Sequence, residues 1–421
     1  MATTAEVHLI RPDRAFVEAT INAGGGDLKR CFQCATCSVV CELSNGRQAF
    51  PRKEMVWAQW GLRDRLVADP DIWLCHQCND CSVRCPRGAR PGDVLAALRS
   101  QAVRHFAVPR FLATWANTAK TLPLVLLLPV VLLGAALVAR DPLARVLPFG
   151  PEHGFYAEFF PHWLLIGFYA AFTGLACVAA VVGIVRLWRA MKAADAAAGT
   201  YRVVMGILPS LWVTLRSIVM HDRFAKCDAQ APRRWAHLTA FYGFLALYVV
   251  TVWAVLDLYV NPYLFGVDSL YPFDLLHPMK ILANIGGAAL VYGSLKAIAE
   301  RRSERTGAAA STAFDWIFVW LLLSVGVTGF ATEIFRFAVD PAPQGSLTTV
   351  AYGVYLVHLV VVFQLLVYLP YSKFAHVFYR TTAVVYAEHT GRHHTGALVA
   401  REAAQSGSHS PVPARAAAGG A

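Results

Sequence analysis

The chain has 421 residues, of which 56% are hydrophobic and 15% charged, and its mean hydropathy is +0.45. That composition is too apolar for an ordinary soluble protein and indicates a membrane protein. The net charge of +11 argues weakly for nucleic-acid binding, because the basic residues form no stripe interleaved with aromatic residues. Lys and Arg crowded into cytoplasmic loops are the commoner cause of such a charge in a membrane protein.

Eight of the ten cysteines lie near the N-terminus, in two runs with the same spacing, C-x2-C-x2-C-x3-C. The N-terminal stretch MATTAEVHLIRPDR has no apolar segment, so we expect no signal peptide and a cytosolic location for the cysteines. Clustered cytosolic cysteines bind metal more often than they form disulfides. The first run holds Cys31, Cys34, Cys37 and Cys41, and the second holds Cys75, Cys78, Cys81 and Cys85.

This spacing is typical of a bacterial ferredoxin with two [4Fe–4S] clusters. Three closely spaced thiolates bind three irons of one cluster, and the last cysteine of each run binds the other cluster. Zinc is the competing interpretation, but zinc sites pair two C-x2-C units and need no third cysteine. The predicted ligand sets are Cys31, Cys34, Cys37 and Cys85 for one cluster, and Cys75, Cys78, Cys81 and Cys41 for the other.

Glu42 follows the first run, where ferredoxins usually have proline. The change removes no ligand. Cys177 lies in an apolar segment and is expected to pack there, and Cys227 is an isolated thiol without a predicted role.

Six apolar segments are long enough to cross a bilayer, which takes about 20 helical residues. The segment 201–220 is also apolar, but it contains Pro209 and Arg216 and has basic residues at both ends. We expect it to lie on the cytoplasmic face as an amphipathic helix. The six predicted spans are Leu122–Ala139, His162–Leu187, Trp235–Leu258, His277–Ile298, Phe314–Phe337 and Val350–Leu369.

The loops between these spans predict their orientation. Nine Lys or Arg fall in residues 186–234 and four in 296–313, whereas 259–276 and 338–349 contain none. Because basic loops stay in the cytoplasm, both termini and the cysteine-rich part are predicted to be cytoplasmic.

Histidines in or beside the spans are candidate haem ligands, because ionisable groups at membrane depth are costly and usually functional. His358 and His376 are 18 residues apart, which is five helical turns, or about 27 Å. If the last span continues through Tyr371, one helix face presents both imidazoles, as two stacked b-type haems would require. His237, at the cytoplasmic start of the third span, is the predicted partner of His376.

At the outer side, His277 is the predicted partner of His358, with His162 as the rival, so one or two haems are expected. No C-x2-C-H haem attachment motif is present, so any haem is bound non-covalently. Lys280 lies one turn after His277. It either extends its ammonium group to the interface or hydrogen-bonds a quinone beside the outer haem.

These features resemble a known family. The stretches CFQCATCSVVCELSNGRQAFPRKEMVWAQWGL and DPDIWLCHQCNDCSVRCPRGARPGDVLAALR resemble the C subunit of the quinone-interacting membrane-bound oxidoreductase complex. The N-terminal part is similar to the iron–sulfur C subunit of heterodisulfide reductase. The membrane part is similar to the cytochrome E subunit of heterodisulfide reductase and to the gamma subunit of respiratory nitrate reductase, and LPYSKFAHVF around His376 carries that similarity. One departure is Leu247, where the nitrate reductase relatives have a second ligand.

The resemblance implies an oxidoreductase subunit of the bacterial cytoplasmic membrane. Such a subunit passes electrons between the quinone pool and cytoplasmic flavoprotein subunits A and B, and the expected partner of the complex is adenylylsulfate reductase, in dissimilatory sulfur metabolism. Alternatives are a subunit of a heterodisulfide-reductase-like or sulfite-reduction-linked complex, and an iron–sulfur-regulated membrane sensor or transporter. No GxGxxG motif or P-loop is present, so a flavin would belong to another subunit.

The predicted fold class is mainly α-helical: a ferredoxin-like domain with two clusters, fused to a six-helix transmembrane cytochrome b bundle. The expected domains are residues 1–110 for the clusters, 111–380 for haem and quinone, and 381–421 as a disordered cytoplasmic tail.

Overall fold

The computed structural model describes residues 11–44, 48–144, 155–221, 231–303, 311–339 and 345–392. These residues are mainly α-helical and include no β-strand. A cysteine-rich domain comes first, and a bundle of long apolar helices follows, as the predicted fold class requires.

The cysteine-rich domain is built around one long helix. Pro91 occupies the first turn of that helix, where its missing N–H leaves no hydrogen bond unmade. Trp73, Met55 and Leu95 are buried beside it in the domain core. The helices are α1 (Arg14–Asn22), α2 (Thr36–Val39), α3 (Arg52–Gln59), α4 (Arg63–Val67), α5 (Asp71–Leu74), α6 (Asp80–Val83) and α7 (Pro91–Phe106), with a 3-10 turn at Leu28–Arg30.

Six helices in the described part of the chain are long and apolar enough to cross a membrane, in the six segments predicted. They are α9 (Leu122–Ala144), α11 (His162–Ala197), α13 (Ala231–Val255), α15 (Pro278–Arg302), α16 (Ala313–Val339) and α17 (Ser346–Val367). Shorter helices connect them: α8 (Arg110–Trp115), α10 (Phe155–Phe159), α12 (Ile207–Met220) and α14 (Asn261–Phe265), the last preceded by a π-helical turn at Leu256–Val260. The amphipathic segment predicted at 201–220 contains α12, which has 14 residues.

Helices α13 and α15 pack closely because glycines lie between them. A Cβ on Gly293 would lie 2.6 Å from the backbone nitrogen of Ala240, and one on Gly243 would lie 2.6 Å from the carbonyl oxygen of Gly286. Small residues of this kind let membrane helices approach backbone to backbone.

The condition for one helix to carry both His358 and His376, that the last span continues through Tyr371, is not met. Helix α17 ends at Val367, and a further helix, α18 (Ala375–Thr390), begins only at Ala375. Pro370 lies in the break. It has no N–H to donate, and its ring would clash with the preceding turn if the helix continued. The two histidines therefore belong to separate helices.

The predicted disordered tail at 381–421 begins too early. Helix α18 extends to Thr390, and its residues from Thr382 onward are almost all buried. It packs against α11, α12 and α5, so it joins the cysteine-rich domain to the bundle. Residues 393–421 lie outside the described part of the chain.

Helix α11 extends past its apolar segment and supports the same junction. The guanidinium of Arg186 donates to the carbonyl oxygens of His105 and Phe106, at the end of α7. Nine residues after Arg186 on α11, Asp195 accepts a hydrogen bond of 2.7 Å from the hydroxyl of Tyr386 on α18.

Candidate functional site: two thiol tetrads beside a helix that reaches the bundle

The two cysteine runs fold into loops with the same backbone shape. Gln33 and Ala35 in the first loop have positive φ angles, and Gln77 and Asn79 have them at the equivalent positions of the second loop. Alternating left- and right-handed residues turn successive backbone N–H groups towards one point, which suits an anionic group. A four-residue helix, α2 or α6, then carries the third cysteine of each run.

The structure places the last cysteine of each run beside the other run. Cys85 lines the same pocket as Cys31, Cys34 and Cys37. Cys41 is close enough to Cys75 and Cys78 to affect their electrostatics, and Cys81 belongs to the same group. We call Cys31, Cys34, Cys37 and Cys85 the first tetrad, and Cys41, Cys75, Cys78 and Cys81 the second tetrad.

The free thiols of Cys37 and Cys41 would stay protonated in this environment. Burial raises the pKa of Cys37 to about 11 and that of Cys41 to about 12. Metal ligation requires the thiolate, so iron binding would have to supply the energy that deprotonates these groups. Four thiols brought together from two loops, with backbone N–H groups donating to Cys75 and Cys85, fit one [4Fe–4S] cluster per tetrad.

The second tetrad lies against α18. Leu74, next to Cys75, packs with Val384 and Ala387 of that helix. Trp73 and Tyr379 bring their ring centroids to 5.4 Å.

A polar contact accompanies this packing. His76, between Cys75 and Cys78, lies 3.3 Å from a guanidinium nitrogen of Arg380 through its Nδ1.

His376 lies in the first turn of α18, and its Nδ1 is 2.6 Å from the carbonyl oxygen of Lys373. Burial lowers the pKa of His376 to about 4, so its imidazole is neutral, as a metal ligand must be. With Nδ1 bound to a carbonyl, Nε2 is the nitrogen that would face iron, which is the usual arrangement of a ligating histidine. The ammonium of Lys373 pairs with Asp315 of α16 and so holds the break in place.

His237 is near the start of α13 and is exposed. Its ring centroid lies 5.5 Å from that of His221, a buried residue that ends α12. Phe244 and Phe374 are in ring contact at 5.4 Å, so α13 and the break before α18 are neighbours. The pairing of His237 with His376 stays a prediction.

The outer histidines have separate neighbours. Nδ1 of His358 is 2.9 Å from the hydroxyl of Thr328 on α16. The ring of His277 stacks on Phe273 at 4.4 Å, and its Nδ1 accepts from the backbone nitrogen of Met279. The ring of His162 contacts Tyr271 at 5.4 Å. The pairing of His277 or His162 with His358 likewise stays a prediction.

Lys280 forms an ion pair with Glu333 of α16, with Nζ 2.9 Å from Oε2. The other carboxylate oxygen of Glu333 accepts from Asn284 at 3.1 Å. Ionisable groups at membrane depth are energetically costly and usually functional. That criterion selects Glu333 from the sequence, just as it selects the histidines.

Local sequence patterns do not identify His221 or Arg392 as candidate functional residues. His221 lies outside every predicted span, and Arg392 lies within the predicted tail at 381–421. Arg392 reaches Asp69 at 3.3 Å, Asp71 at 2.8 Å and Asp195 at 3.2 Å. Cys177 is exposed on a membrane-length helix, and Cys227 lies outside the described residues.

Comparison with known proteins agrees with this division of the chain. The 4Fe-4S dicluster domain family matches residues 27–89, and the family described as Citrate utilization protein B matches residues 115–397. The class is therefore a protein with a 4Fe-4S dicluster domain and six helices of membrane-spanning length. More particularly, the chain belongs to the Citrate utilization protein B family, whose match covers more than half of it.

Individual relatives match one or both parts. Citrate utilization protein B of Escherichia coli is 28% identical over 336 residues, which cover 74% of this chain and 80% of that protein. The C subunit of the H(2):CoB-CoM heterodisulfide,ferredoxin reductase of Methanothermobacter marburgensis is 34% identical over 110 residues, or 26% of this chain. The chain spans 60% of the length of that relative. No solved structure matches.

Proposed function

We propose that the chain is a membrane subunit that moves electrons between the quinone pool and a cytoplasmic flavoprotein. Two [4Fe–4S] clusters on the tetrads and haem b on His237 and His376 are its electron carriers. These groups each carry one electron, so they divide the electron pair that a quinol releases. The chain's own residues bind these groups, exclude water from them and orient the ligands.

The observation that carries this proposal is the contact between the second tetrad and α18. Trp73 and His76, on either side of Cys75, touch Tyr379 and Arg380. Those two residues lie about one turn after His376 on the same helix. A cluster on the second tetrad and a haem on His376 would thus be held by directly contacting elements, which favours electron transfer between them.

A second haem would lie at the outer side of the bundle, where His358 and His277 are the proposed ligands. The hydroxyl of Thr328 already donates to Ser324, so it accepts from Nδ1–H of His358 and leaves Nε2 of that ring for a ligand, as in ligating histidines. Nδ1 of His277 instead accepts from Met279, which puts the ring proton on Nε2, so His277 would have to give up this contact to bind iron. A second haem would need the two to face one another across the bundle, and a quinone near Lys280 would compete with Glu333 for its ammonium.

Iron and haem analysis of the purified full-length chain tests the proposal. We expect about eight non-haem irons and one or two haems b by the pyridine haemochrome assay. His376→Ala should lose one haem and keep all the non-haem iron, and His358→Ala shows whether a second haem exists. A wild-type chain that contains non-haem iron but no haem would contradict the proposed haem b and the proposed reaction with quinone. The proposal of two [4Fe–4S] clusters would be unaffected.

The quinone part needs its own readout. A quinol added to the protein in lipid nanodiscs should reduce the haem absorbance band in the wild-type chain. In His376→Ala, which should lose one haem, the quinol-reduced band should shrink by the contribution of that haem.

The metabolic partner has two candidates. Flavoprotein subunits A and B with adenylylsulfate reductase follow from the resemblance of the cysteine-rich part. A partner in citrate utilisation is favoured by the relative from Escherichia coli, because that alignment extends through both parts of the chain. A deletion strain that fails on citrate and still respires sulfur compounds would support the second candidate, and the reverse would support the first.

A further inference from the structure

The two tetrads differ in what covers them. The second tetrad has no exposed member: Cys75 and Cys81 are buried, and Cys41 and Cys78 are half-buried. The first tetrad has an exposed member, Cys34. A partner protein can therefore approach the first tetrad more closely than the second.

Apolar side chains stand in solvent around the first tetrad. Phe32, next to Cys31, is 68% exposed, and Val39, at the end of α2, is 84% exposed. A single exposed apolar side chain is common on protein surfaces. Two such side chains, Phe32 and Val39, lie beside the first tetrad, as expected for the apolar centre of a protein interface.

Three arginines border this apolar centre, and we call Arg30, Arg52 and Arg87 the arginine rim. All three are exposed. The guanidinium of Arg87 lies over the ring of Phe32, 4.2 Å from its centroid, and Arg52 lines the pocket beside Cys34. Arg30 approaches Gly88 and is partly neutralised by Asp27 at 3.1 Å. The pocket lining includes Arg52 and Arg87 and no carboxylate.

The position of this surface in the fold argues against contact with the lipid bilayer. Pro91, at the start of α7, lines the pocket of the first tetrad, and Phe106, at the other end of α7, is bound by Arg186 of the bundle. Sixteen helical residues separate these ends by about 24 Å. The first tetrad therefore lies at the end of α7 away from the membrane helices.

We propose that Phe32, Val39 and the arginine rim form the docking surface for a soluble redox protein whose cofactor is surrounded by acidic residues. This inference rests on the proposed function and adds the site and charge of the partner. Each encounter transfers one electron: the partner's flavin is oxidised by one electron and the cluster on the first tetrad is reduced by one, or the reverse. No covalent bond in this chain forms or breaks.

Stopped-flow reduction of the full-length holoprotein in nanodiscs tests the surface. The probe is reduced flavodoxin, a small acidic flavoprotein, and the signal is bleaching of the cluster absorbance near 400 nm. Arg87→Glu should lower the bimolecular rate constant at least about tenfold at low ionic strength, and the difference should shrink as salt is added. Phe32→Ala should lower the rate by a factor that salt does not change.

Matched controls lie elsewhere on the same domain. Arg65→Glu makes the same charge change on α4, beside His105 near the bundle, and Trp60→Ala removes an exposed aromatic ring at the end of α3. Both should leave the flavodoxin rate within about twofold of wild type. Equal losses in Arg87→Glu and Arg65→Glu would overturn the proposal, because net charge rather than the surface would then govern the rate.

Two further readouts separate the possible failures. Photoreduced deazaflavin, which is small and neutral, should reduce all variants at the same rate, and iron analysis should show intact clusters. Wild-type protein that lacks clusters would refute the proposed function itself. A rate that changes when phosphatidylglycerol replaces phosphatidylcholine in the nanodisc, in wild type but not in Arg87→Glu, would assign the face to lipid and overturn the docking proposal.

Discussion

At the scale of single residues, the exchange of Cys41 and Cys85 between the two runs ties the cysteine-rich domain together. Each tetrad takes three thiols from one loop and the fourth from a cysteine 34 to 54 positions away. Loss of Cys41 or Cys85 should therefore affect the cluster of the other run rather than the cluster of its own run.

Cys85→Ser tests this exchange. We expect the variant to lose the cluster on Cys31, Cys34 and Cys37, about four irons, and to keep the cluster on the second tetrad. Low-temperature electron paramagnetic resonance with iron analysis would measure it. Cys177→Ser, which changes a thiol outside both tetrads, should keep every iron. Loss of the second cluster instead would mean that each run binds its own cluster.

Arg392 is the second residue with effects beyond its neighbourhood. Its guanidinium meets Asp69 and Asp71 of the cysteine-rich domain and Asp195 of α11, and its side chain is 13% exposed. Removing one partner from buried charges leaves the others uncompensated, at a cost of about 3–5 kcal/mol. Arg392→Ala should lower the melting temperature and increase proteolysis between the domains. Arg63→Ala breaks an exposed pair with Asp13 and should cost about 1 kcal/mol or less.

The same site predicts a pH dependence. Burial alone would raise the pKa of Asp71, but Arg392 and Lys53 lower it below the ordinary value of about 4. A lowered folded-state pKa stabilises the fold above that ordinary value and ceases to do so as the pH falls below it. The melting-temperature difference between wild type and Arg392→Ala should therefore be full at pH 7 and shrink on acidification below about pH 4. A difference that stays constant across that range would show that the carboxylate charge is not involved.

Three carboxylates at this site are close enough to hold a metal ion, namely Glu54, Asp69 and Asp71. The ammonium of Lys53 lies 2.8 Å from Asp69, 3.0 Å from Asp71 and 3.2 Å from Glu54. Protein cations thus already occupy the centre of the group, and Arg392 links it to Asp195 of α11.

At the scale of helices, the packing of α13 on α15 determines where His237 lies. A Cβ on Gly293 would approach the carbonyl oxygen of Ala236 at 2.8 Å, beside His237. Backbone atoms cannot rotate away as a side chain can, so the helices themselves would have to separate.

Gly293→Ala should therefore destabilise the bundle by about 1–3 kcal/mol. It should also lower the haem content if His237 is a ligand. Thermal unfolding followed by haem absorbance would record both. Gly174→Ala is the matched control, because a Cβ there meets nothing within 4 Å, and it should be neutral or stabilising. Equal behaviour of the two variants would contradict the close packing.

The break between α17 and α18 also acts at this scale. It ends the apolar helix and turns the chain towards the cysteine-rich domain, while the Asp315–Lys373 pair holds the turn. The carbonyl of Lys373 then orients the imidazole of His376. In a continuous helix, the Asp315–Lys373 pair would have no turn to stabilise before His376.

At the scale of the whole molecule, the charge of the loops predicts the orientation in the membrane. Residues 259–276 carry no Lys or Arg and should face outwards, whereas the basic segment 186–234 should face the cytoplasm. Asp268 and Ala198 are exposed in these two segments.

Cysteines introduced at these two positions test the orientation. A membrane-impermeant thiol reagent applied to intact spheroplasts should label Asp268→Cys. It should label Ala198→Cys only after the membrane is permeabilised. The opposite pattern would invert the bundle and place both tetrads outside the cytoplasm.

The number and spacing of the thiols, the six apolar segments and the charge of their loops follow from the order of the amino acids alone. These properties are local: a C-x2-C-x2-C loop folds around its own metal site, and a run of about 20 apolar residues is a helix of membrane length wherever it packs. Which thiol is exposed, where the last helix breaks and what each histidine touches became known only from the folded chain. Those outcomes depend on contacts between residues far apart in the chain, such as Arg392 with Asp69 or Tyr379 with Trp73, which no local spacing encodes.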